Sequence, residues 1–599
     1  MFTLQLSRIE IENFRGIKKA SILLPKHTVL IGDNNTGKTT ILEAIDLALG
    51  PDRLNRFPVI DEHDFYQGKY INVSDDSSEP EIEKIIISVT IIDLSEEQIA
   101  RFGDYIEFWN TAENTLYETP NPSGVDEEVI TEAIRVTFVG NYNIDEDDFE
   151  GKTFYTRSID EGITPQHFNK KDKQLCGFLY LRTLRTGARA LSLERGSLLD
   201  IIMRLKEIRP KMWESTLTDI ASFSVATNPE LGISEVLESI NNALKKYVPK
   251  EWGIEPHLKI SNLTREHLRK VITPFIATGE DSIHSAPFYR QGTGTINMLV
   301  LAMLSQIAED KQNVIFAMEE PEIAVPPYAQ KRIIHEIRKL STQALFTSHS
   351  PYVLEEFDVD ETLVLSRDND GKLKQHPIIL PPSVKLKRYR QEFRTRFCEG
   401  LLSRRVMIAE GATEAASLPA VSRRLEEQNY EQYISLEAMG ICTIDAGGED
   451  SIPSLAKLYK DLGKTVFAIC DKQSEEKQAL IEAEVDKLYM HDEKGFEDLV
   501  IKYTTEEALK NYCQTVDWPQ NILKKYSNPE EEPIEALKLY FKKTKAEGTV
   551  ADLLVQCNDS DIPQWIKDVC LDLRKICDSH QDIVEELVDI KEHEGVESE

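Results

Sequence analysis

The sequence reads as an α/β protein in two parts, each built on a parallel sheet with its chemistry at the carboxyl ends of strands, the first part interrupted by a helical insertion. Three observations carry that reading. The glycine loop Gly32-Asp33-Asn34-Asn35-Thr36-Gly37-Lys38-Thr39 lies between an apolar strand, Thr28 to Ile31, and a helix, Thr40 to Leu49. Downstream, the apolar run Val314 to Met318 ends in the paired acids Glu319 and Glu320. A strand-then-acid pattern then restarts at Arg405 to Glu410 and recurs at Thr465 to Asp471. In open parallel sheets, functional groups collect at such strand ends.

Composition bounds the rest. At 599 residues the chain exceeds a single core, since domains run to roughly 100–200 residues. The 41% hydrophobic fraction is that of a globular protein. No apolar run reaches the roughly 20 residues of a membrane helix, and the N-terminus lacks the pattern of a secretory signal; a soluble, cytoplasmic protein is expected. Eight scattered cysteines form no C-x-x-C pair, which argues against zinc and against a disulfide framework. The net charge of −33 runs against nucleic acid as a partner, because phosphate contacts need Lys and Arg. Local basic runs offset it: Lys385 to Arg396 carries six cations against Glu392, and Arg182, Arg185, Arg189 and Arg195 form a second. Either alone reads as a solvated face; beside a metal nuclease site each becomes a candidate DNA contact. Acid collects between Asp93 and Asp160 and in the tail from Asp582, read as solvated surface and a frayed end.

In chain order, alternation in Leu4 to Ile11, the turn Asn13-Phe14-Arg15-Gly16 and the apolar run Ala20 to Leu24 predict a hairpin. The strand, loop and helix order makes GxxxxGK[ST] a phosphate cradle: loop N–H groups and Lys38 meet the phosphates and Thr39 reaches Mg²⁺, with Asn35, Gly37 and Thr40 completing the nucleotide contacts. Glu319 is expected on the metal's water shell, and Glu320 is well placed to orient the attacking water as the catalytic carboxylate of ATP hydrolysis. The strand Ala344 to Thr347 leads to Ser348-His349-Ser350, where His349 is a candidate γ-phosphate sensor, although a strand-end histidine is more often merely hydrogen-bonded. Thr293-Gly294 open a helix over Met298 to Ile307, and a helix N-terminus attracts anions. Between loop and acids no heptads appear; Leu198 to Leu205 and Val236 to Tyr247 have helical spacing, which suggests a helical insertion.

In the second part, Glu410 ends a strand, Glu414 lies in the next helical turn, Asp471 ends another strand and Glu497 lies at a helix start. Hard oxygen donors of this kind suit Mg²⁺ or Mn²⁺, and two ions roughly 4 Å apart would serve phosphodiester cleavage. Lys545, before a helix near Val550, is a candidate for stabilising transition-state charge, with an ordinary surface lysine nearly as good a reading from the residues alone.

The order of motifs, with Tyr289-Arg290-Gln291-Gly292-Thr293-Gly294 before the acidic strand, resembles ATPases of the ABC, RecF and SMC type. That resemblance implies that Thr293 and Gly294 contact ATP held by a second subunit, so that ATP bridges a dimer. The run Val406 to Glu414, the segment Asp445-Ala446-Gly447-Gly448 and Phe467-Ala468-Ile469-Cys470-Asp471 resemble a Toprim domain, and this tips Lys545 toward a catalytic role. Where that fold usually carries Asp-x-Asp, this chain has Asp471-Lys472-Gln473. The combination, with Leu181 to Asp200, resembles the OLD (overcoming lysogenization defect) family, which includes the nuclease subunit of the Gabija defence system. It implies an ABC/RecF-like ATPase in two parts (1–180 and 271–384), a helical, dimerising insertion (181–270), a basic linker (385–400) and a Toprim nuclease domain with an acidic tail (401–599). It further implies a nucleotide-regulated, Mg²⁺- or Mn²⁺-dependent DNA endonuclease in anti-phage defence, dimeric or larger, with a partner protein encoded nearby. Gln473 keeps two alternatives open: a DNA-binding ATPase clamp with an idle Toprim module, and a toxin-like effector restrained by a partner.

Overall fold

The computed structural model describes residues 4–578 apart from 52, 56–57, 73–79, 161–163, 182–192, 194–196, 206–208, 223–232, 245–263, 278–284, 311–313, 324–325, 382–396 and 545–546. Both basic runs, Lys545 and the acidic tail lie outside the described residues. The chain forms two compact units: residues 1–9 with 42–347, and residues 10–41 with 348–599. The glycine loop therefore belongs to the same unit as the carboxyl-terminal half.

The chain opens with β1 (Gln5–Phe14), β2 (Ile17–Leu23) and β3 (His27–Ile31). The β1–β2 turn places Asn13 and Arg15 at φ 57° and 51°, and the Arg367 guanidinium donates to the Gly16 carbonyl at 3.0 Å. Helix α1 (Lys38–Leu49) follows the loop, starting two residues before the expected Thr40.

The first unit continues with an antiparallel arm that the sequence pattern did not announce: β4 (Lys84–Ile92), β5 (Glu107–Asn110), β6 (Thr115–Tyr117), β7 (Ile130–Asn143) and β8 (Asp148–Tyr155). Strand β7 is the hub, pairing antiparallel with β4, β5 and β8. Much of the acid here does face solvent, but Glu107 is buried and takes a two-pronged contact from Arg135, at 2.7 and 2.8 Å. Such a bidentate pair fixes register as well as charge.

Among the described residues, strand β9 (Phe178–Leu181) precedes the helices α2 (Leu198–Leu205), α3 (Arg209–Ser222), α4 (Ile233–Leu244) and α5 (Arg265–Val271). Leu193, Met203, Trp213 and Leu268 form a small core among them. Helix α6 (Thr293–Asp310) then leads to β10 (Ile315–Glu319), α7 (Pro327–Leu340) and β11 (Gln343–Thr347). Strand β10 pairs parallel with β9 on one side and β11 on the other, and all five of its residues are buried. Burial on both faces explains why it reads as a continuous apolar run.

In the second unit, β12 (Thr362–Arg367) pairs parallel with β3 and antiparallel with β13 (Lys372–Pro377), which pairs parallel with β2. The carboxyl-terminal half is a separate four-stranded parallel sheet of β14 (Arg405–Ala409), β15 (Ile441–Asp445), β16 (Thr465–Asp471) and β17 (Lys487–His491), ordered β15-β14-β16-β17. The crossover helices α8 (Ala412–Gln428) and α9 (Ile452–Asp461) connect successive strands, and α10 (Phe496–Tyr503) follows β17. Met407, Ala409, Phe467 and Ile469 share one core with Leu418, Val421 and Leu425 of α8 and Phe496, Leu499 and Val500 of α10. This core seats α8 and α10 against the sheet, so the acids at their first turns stand over the ends of β14 and β16.

Candidate functional site

The glycine loop is shaped by residues that only its sequence permits. Gly32 has φ 151°, and a Cβ there would lie 2.5 Å from the Leu365 carbonyl oxygen, so a side chain is excluded twice over. Asn35, at φ 64°, takes the left-handed conformation that asparagine tolerates. The Thr36 hydroxyl donates to the Asp33 carbonyl at 2.6 Å. Lys38 is buried and donates to the carbonyls of Gly32 and Asp33, each at 2.8 Å. Thr39 is exposed and Thr40 half-buried in the first turn of α1. His349 is half-buried between buried Ser348 and Ser350, and the Ser350 hydroxyl accepts from the Tyr352 N–H at 3.3 Å, opening a short helix.

In the other unit, Glu319 ends β10 opposite Thr347 of β11, is buried, and accepts a hydrogen bond from the Tyr180 hydroxyl of β9. Glu320 has φ 42° and its N–H donates to the Thr347 carbonyl at 2.9 Å. A non-glycine residue held left-handed costs about 1–3 kcal/mol, and this hydrogen bond helps keep Glu320 there. Thr293 and Gly294 form the first turn of α6; their side chains lie outside the described residues. The helix expected from Met298 begins at Thr293, so the Gly-Thr run is its amino end.

The carboxylate centre is drawn together by the parallel sheet. The Glu410 N–H donates to the Ile469 carbonyl at 3.0 Å, and the Gly448 N–H donates to the Glu410 carbonyl at 2.8 Å. These bonds tie the ends of β14 and β16 to the loop after β15. Glu410, Glu449 and Asp471, all half-buried, each offer a carboxylate oxygen, and the three atoms lie within 4.8 Å of one another. The Asp471 N–H donates to Glu410 Oε2 at 3.2 Å. Burial first, then the hydrogen bond and charge of Asp471 and the charge of Glu414, push the Glu410 carboxyl from 4.5 up to about 7. The protein alone thus leaves the cluster's negative charge under-compensated.

Of the four acids expected to bind metal, Glu410 and Asp471 meet in this cluster. Glu414 is buried one turn along α8, and Glu497 accepts from the Thr413 hydroxyl at 2.8 Å. Glu449 was missed by the sequence reading; its signal is its place directly after Gly447-Gly448, in a segment already singled out. Lys477 pairs with Glu449 and lies 3.0 Å from Asp450. Gln473 has a role its identity did not suggest: its amide nitrogen donates to Asp471 Oδ1 at 2.9 Å, to the Asp471 carbonyl at 3.2 Å and to Glu410 Oε2 at 3.3 Å. It bridges the two acids whose charges repel.

The residues fit a divalent cation: three hard carboxylate donors converge, and burial first, then Asp471, raises the carboxyl of one of them, Glu410. Glu410, Glu449 and Asp471 would hold it, and the chemistry it supplies when bound is polarisation of a phosphoryl oxygen and a lowered pKa for water. The chain's own contribution is to fix these acids at the ends of β14, β15 and β16 and to hold the Glu410 proton until it is displaced.

A family profile for the AAA ATPase domain matches residues 5–354. A second, for the Toprim domain of overcoming lysogenization defect protein-like proteins, matches residues 401–472. The chain belongs to the OLD group of AAA ATPases. The Old nuclease of Escherichia phage P2 is 22% identical to this OLD-type chain over 524 residues, 81% of each protein. The OLD nuclease of Thermus scotoductus is 47% identical over 45 residues, 8% of each. Among solved structures, the C-terminal region of the Burkholderia pseudomallei OLD protein covers 29% of the chain, with 98% of that region aligned, 14% identity and a TM-score of 0.23. An ATPase domain and a nuclease-type Toprim domain thus share one chain, and together they imply use of a nucleotide and a divalent metal. No helix among the described residues is long and apolar enough to cross a membrane.

Proposed function

We propose that this OLD-type protein is an ATP-binding, nucleotide-regulated DNA endonuclease that depends on Mg²⁺ or Mn²⁺, two ions at the Toprim site, and acts in anti-phage defence in the cytoplasm. The observation that carries the reading is the convergence of Glu410, Glu449 and Asp471 beside a Glu410 carboxyl pushed up to about 7. Glu414 and Glu497 complete the acidic set, and Lys545 assists at the transition state. Lys38, Thr39, Thr40, Asn35 and Gly37 bind ATP and its metal, Glu319 holds the metal's water shell, Glu320 orients water and His349 senses the γ-phosphate. Thr293 and Gly294 read the ATP of a second copy, making the working form a dimer or larger. The division into ATPase (1–180, 271–384), helical insertion (181–270), basic linker (385–400) and Toprim domain (401–599) belongs to the same proposal. So does a partner protein encoded nearby, as in Gabija-like systems.

The test is supercoiled plasmid incubated with purified protein in Mg²⁺, in Mn²⁺ and in chelator, each with and without ATP. Nicked or linear product in metal and none in chelator is expected; no product under any metal rejects cleavage. Gln473 supports a second reading, an ATPase clamp with an idle Toprim module, because one ligand of the usual acidic pair is an amide. ATP-dependent retention of DNA without cleavage favours that clamp.

A further inference from the structure

Each of the three converging acids is met by a donor from one short segment after β16. Gln473 supplies its amide to Glu410 Oε2 and Asp471 Oδ1. Four residues on, Lys477 donates its ammonium to Glu449 Oε1. The same ammonium lies 3.0 Å from Asp450 Oδ1, so it is held between two neighbouring carboxylates. An ammonium carries three donors and can serve both acids at once or either alone. The two acids are not equivalent. Glu449 is one of the three carboxylates of the centre and its side chain is 38% exposed, whereas Asp450 stands outside that trio and is 84% exposed.

The backbone is fixed on both sides of this ion pair. The Gly447 N–H donates to Asp445 Oδ1 at 2.7 Å and the Gly448 N–H to the Glu410 carbonyl at 2.8 Å. Gly448, at φ 129°, opens the single 3-10 turn Glu449–Ser451, and the Ser451 N–H closes on its carbonyl at 3.2 Å. Opposite, Ser474 caps the helix Glu475–Glu482: its hydroxyl accepts from the Lys477 N–H at 3.4 Å and its carbonyl from the Gln478 N–H at 2.9 Å. Ile481 of that helix is buried and anchors it. Transfer of the ammonium from Glu449 to Asp450 is therefore a matter of side-chain torsions, which half-exposed residues change readily. A divalent cation at the centre and the Lys477 ammonium draw on the same Glu449 carboxylate. Asp450 gives the displaced ammonium a partner within reach.

We propose that Lys477 is a resident counter-ion of the carboxylate centre, exchanged between Glu449 and Asp450, and that this exchange sets the concentration of divalent cation at which the centre fills. The inference rests on the metal-dependent nuclease reading and names what governs its response to metal. Lys477 acts through Glu449 and is a positioning residue. It opposes metal binding while it holds Glu449, and Asp450 relieves that opposition by taking the ammonium over. Removing the lysine and removing Asp450 therefore move metal affinity in opposite directions, and the effect of Asp450 depends on the lysine being present.

The test titrates Mn²⁺ by calorimetry into full-length, nucleotide-free protein at pH 8, taking as the centre's isotherm the binding that Glu410→Ala abolishes. Lys477→Met and Lys477→Gln should each tighten Mn²⁺ by about three- to tenfold, the scale of an exposed ion pair plus the loss of a nearby like charge. Lys477→Arg, which keeps charge and both partners, should stay within about twofold of wild type. Asp450→Asn should weaken Mn²⁺ about threefold when Lys477 is present and less than about 1.5-fold in the Lys477→Met background, because the two residues act as one unit. Equal or weaker affinity in Lys477→Met and Lys477→Gln overturns the proposal, and so does an Asp450→Asn effect that is the same in both backgrounds. A wild type without Glu410-dependent Mn²⁺ binding overturns it as well. If Lys477→Met does not fold, Lys477→Gln carries the same cycle. In plasmid nicking, the Mn²⁺ midpoint should fall in Lys477→Met by the factor seen in binding, and an unmoved midpoint contradicts the control of activity. A wild type that binds Mn²⁺ and never nicks DNA defeats the nuclease reading instead, while the titration cycle still judges the exchange.

Discussion

Lowering the pH from 8 to 6 should expel metal from the carboxylate centre through one identifiable proton. Glu410, pushed from 4.5 up to about 7 chiefly by its burial and then by Asp471, is mostly ionised at pH 8 and mostly protonated at pH 6. Binding a cation at pH 6 must then release close to one proton, and the apparent affinity falls about tenfold below its plateau, which is about 1.4 kcal/mol. The stability of the metal-free chain carries the same signature with a defined sign. A carboxyl whose folded pKa lies above its unfolded one imposes nothing below about 4.5, and its ionisation erodes stability as pH rises from there to about 7. At 1.36 kcal/mol per pH unit this amounts to at most about 3.4 kcal/mol, and solvent reaching the half-buried carboxyl reduces it to about 2 kcal/mol. Glu410→Gln should therefore stabilise the chelated protein by about 2 kcal/mol at pH 8 and by little near pH 4.5. Calorimetric titration of Mn²⁺ at pH 6 in two buffers of different ionisation enthalpy counts the protons released. Release near one in wild type and near zero in Glu410→Gln is expected; equal release in both refutes the role given to Glu410.

Three further outcomes follow from the same geometry. Lys38→Ala should weaken binding of the ATP analogue by tenfold or more, because a charge-assisted contact worth about 1.5–3 kcal/mol is lost; equilibrium titration reads this directly. Glu320→Gln should bind ATP within about threefold of wild type yet hydrolyse it about a hundredfold more slowly, the scale of losing a positioned base; a steady-state phosphate-release assay separates the two quantities. Gln473→Asp removes the amide that bridges Glu410 and Asp471 and adds a further carboxylate to the three already there. It should tighten Mn²⁺ binding by about tenfold, or about 1.4 kcal/mol, and lower the melting temperature in chelator. Opposite movement in either would show that the amide does not stand in for positive charge.

The legible parts of this chain are those where burial leaves a linear trace. Strands β10, β14 and β16 lie inside parallel sheets, so each reads as an apolar run, and each run ends on an acid because the sheet edge is where polarity resumes. The glycine loop is legible for a different reason: Gly32 and Asn35 occupy backbone conformations open to few residue types. Glu449 left no such trace, since it opens a single 3-10 turn, Glu449–Ser451, just after the Gly448 N–H that donates to the Glu410 carbonyl. The β4–β8 arm was hidden by its acidity, as strands with one wet face carry outward acids that look like loop composition. Gln473 looked like a missing ligand in the sequence; in three dimensions it is a donor to two carboxylates.

The most direct test is plasmid nicking in Mn²⁺ by wild type, Glu410→Ala and Asp471→Ala, each shown by circular dichroism to be folded and by analogue titration to bind ATP as wild type does. Nicking by wild type that drops by at least about a hundredfold in both variants is the predicted result; nicking that survives Glu410→Ala unchanged contradicts the assignment of the carboxylate centre.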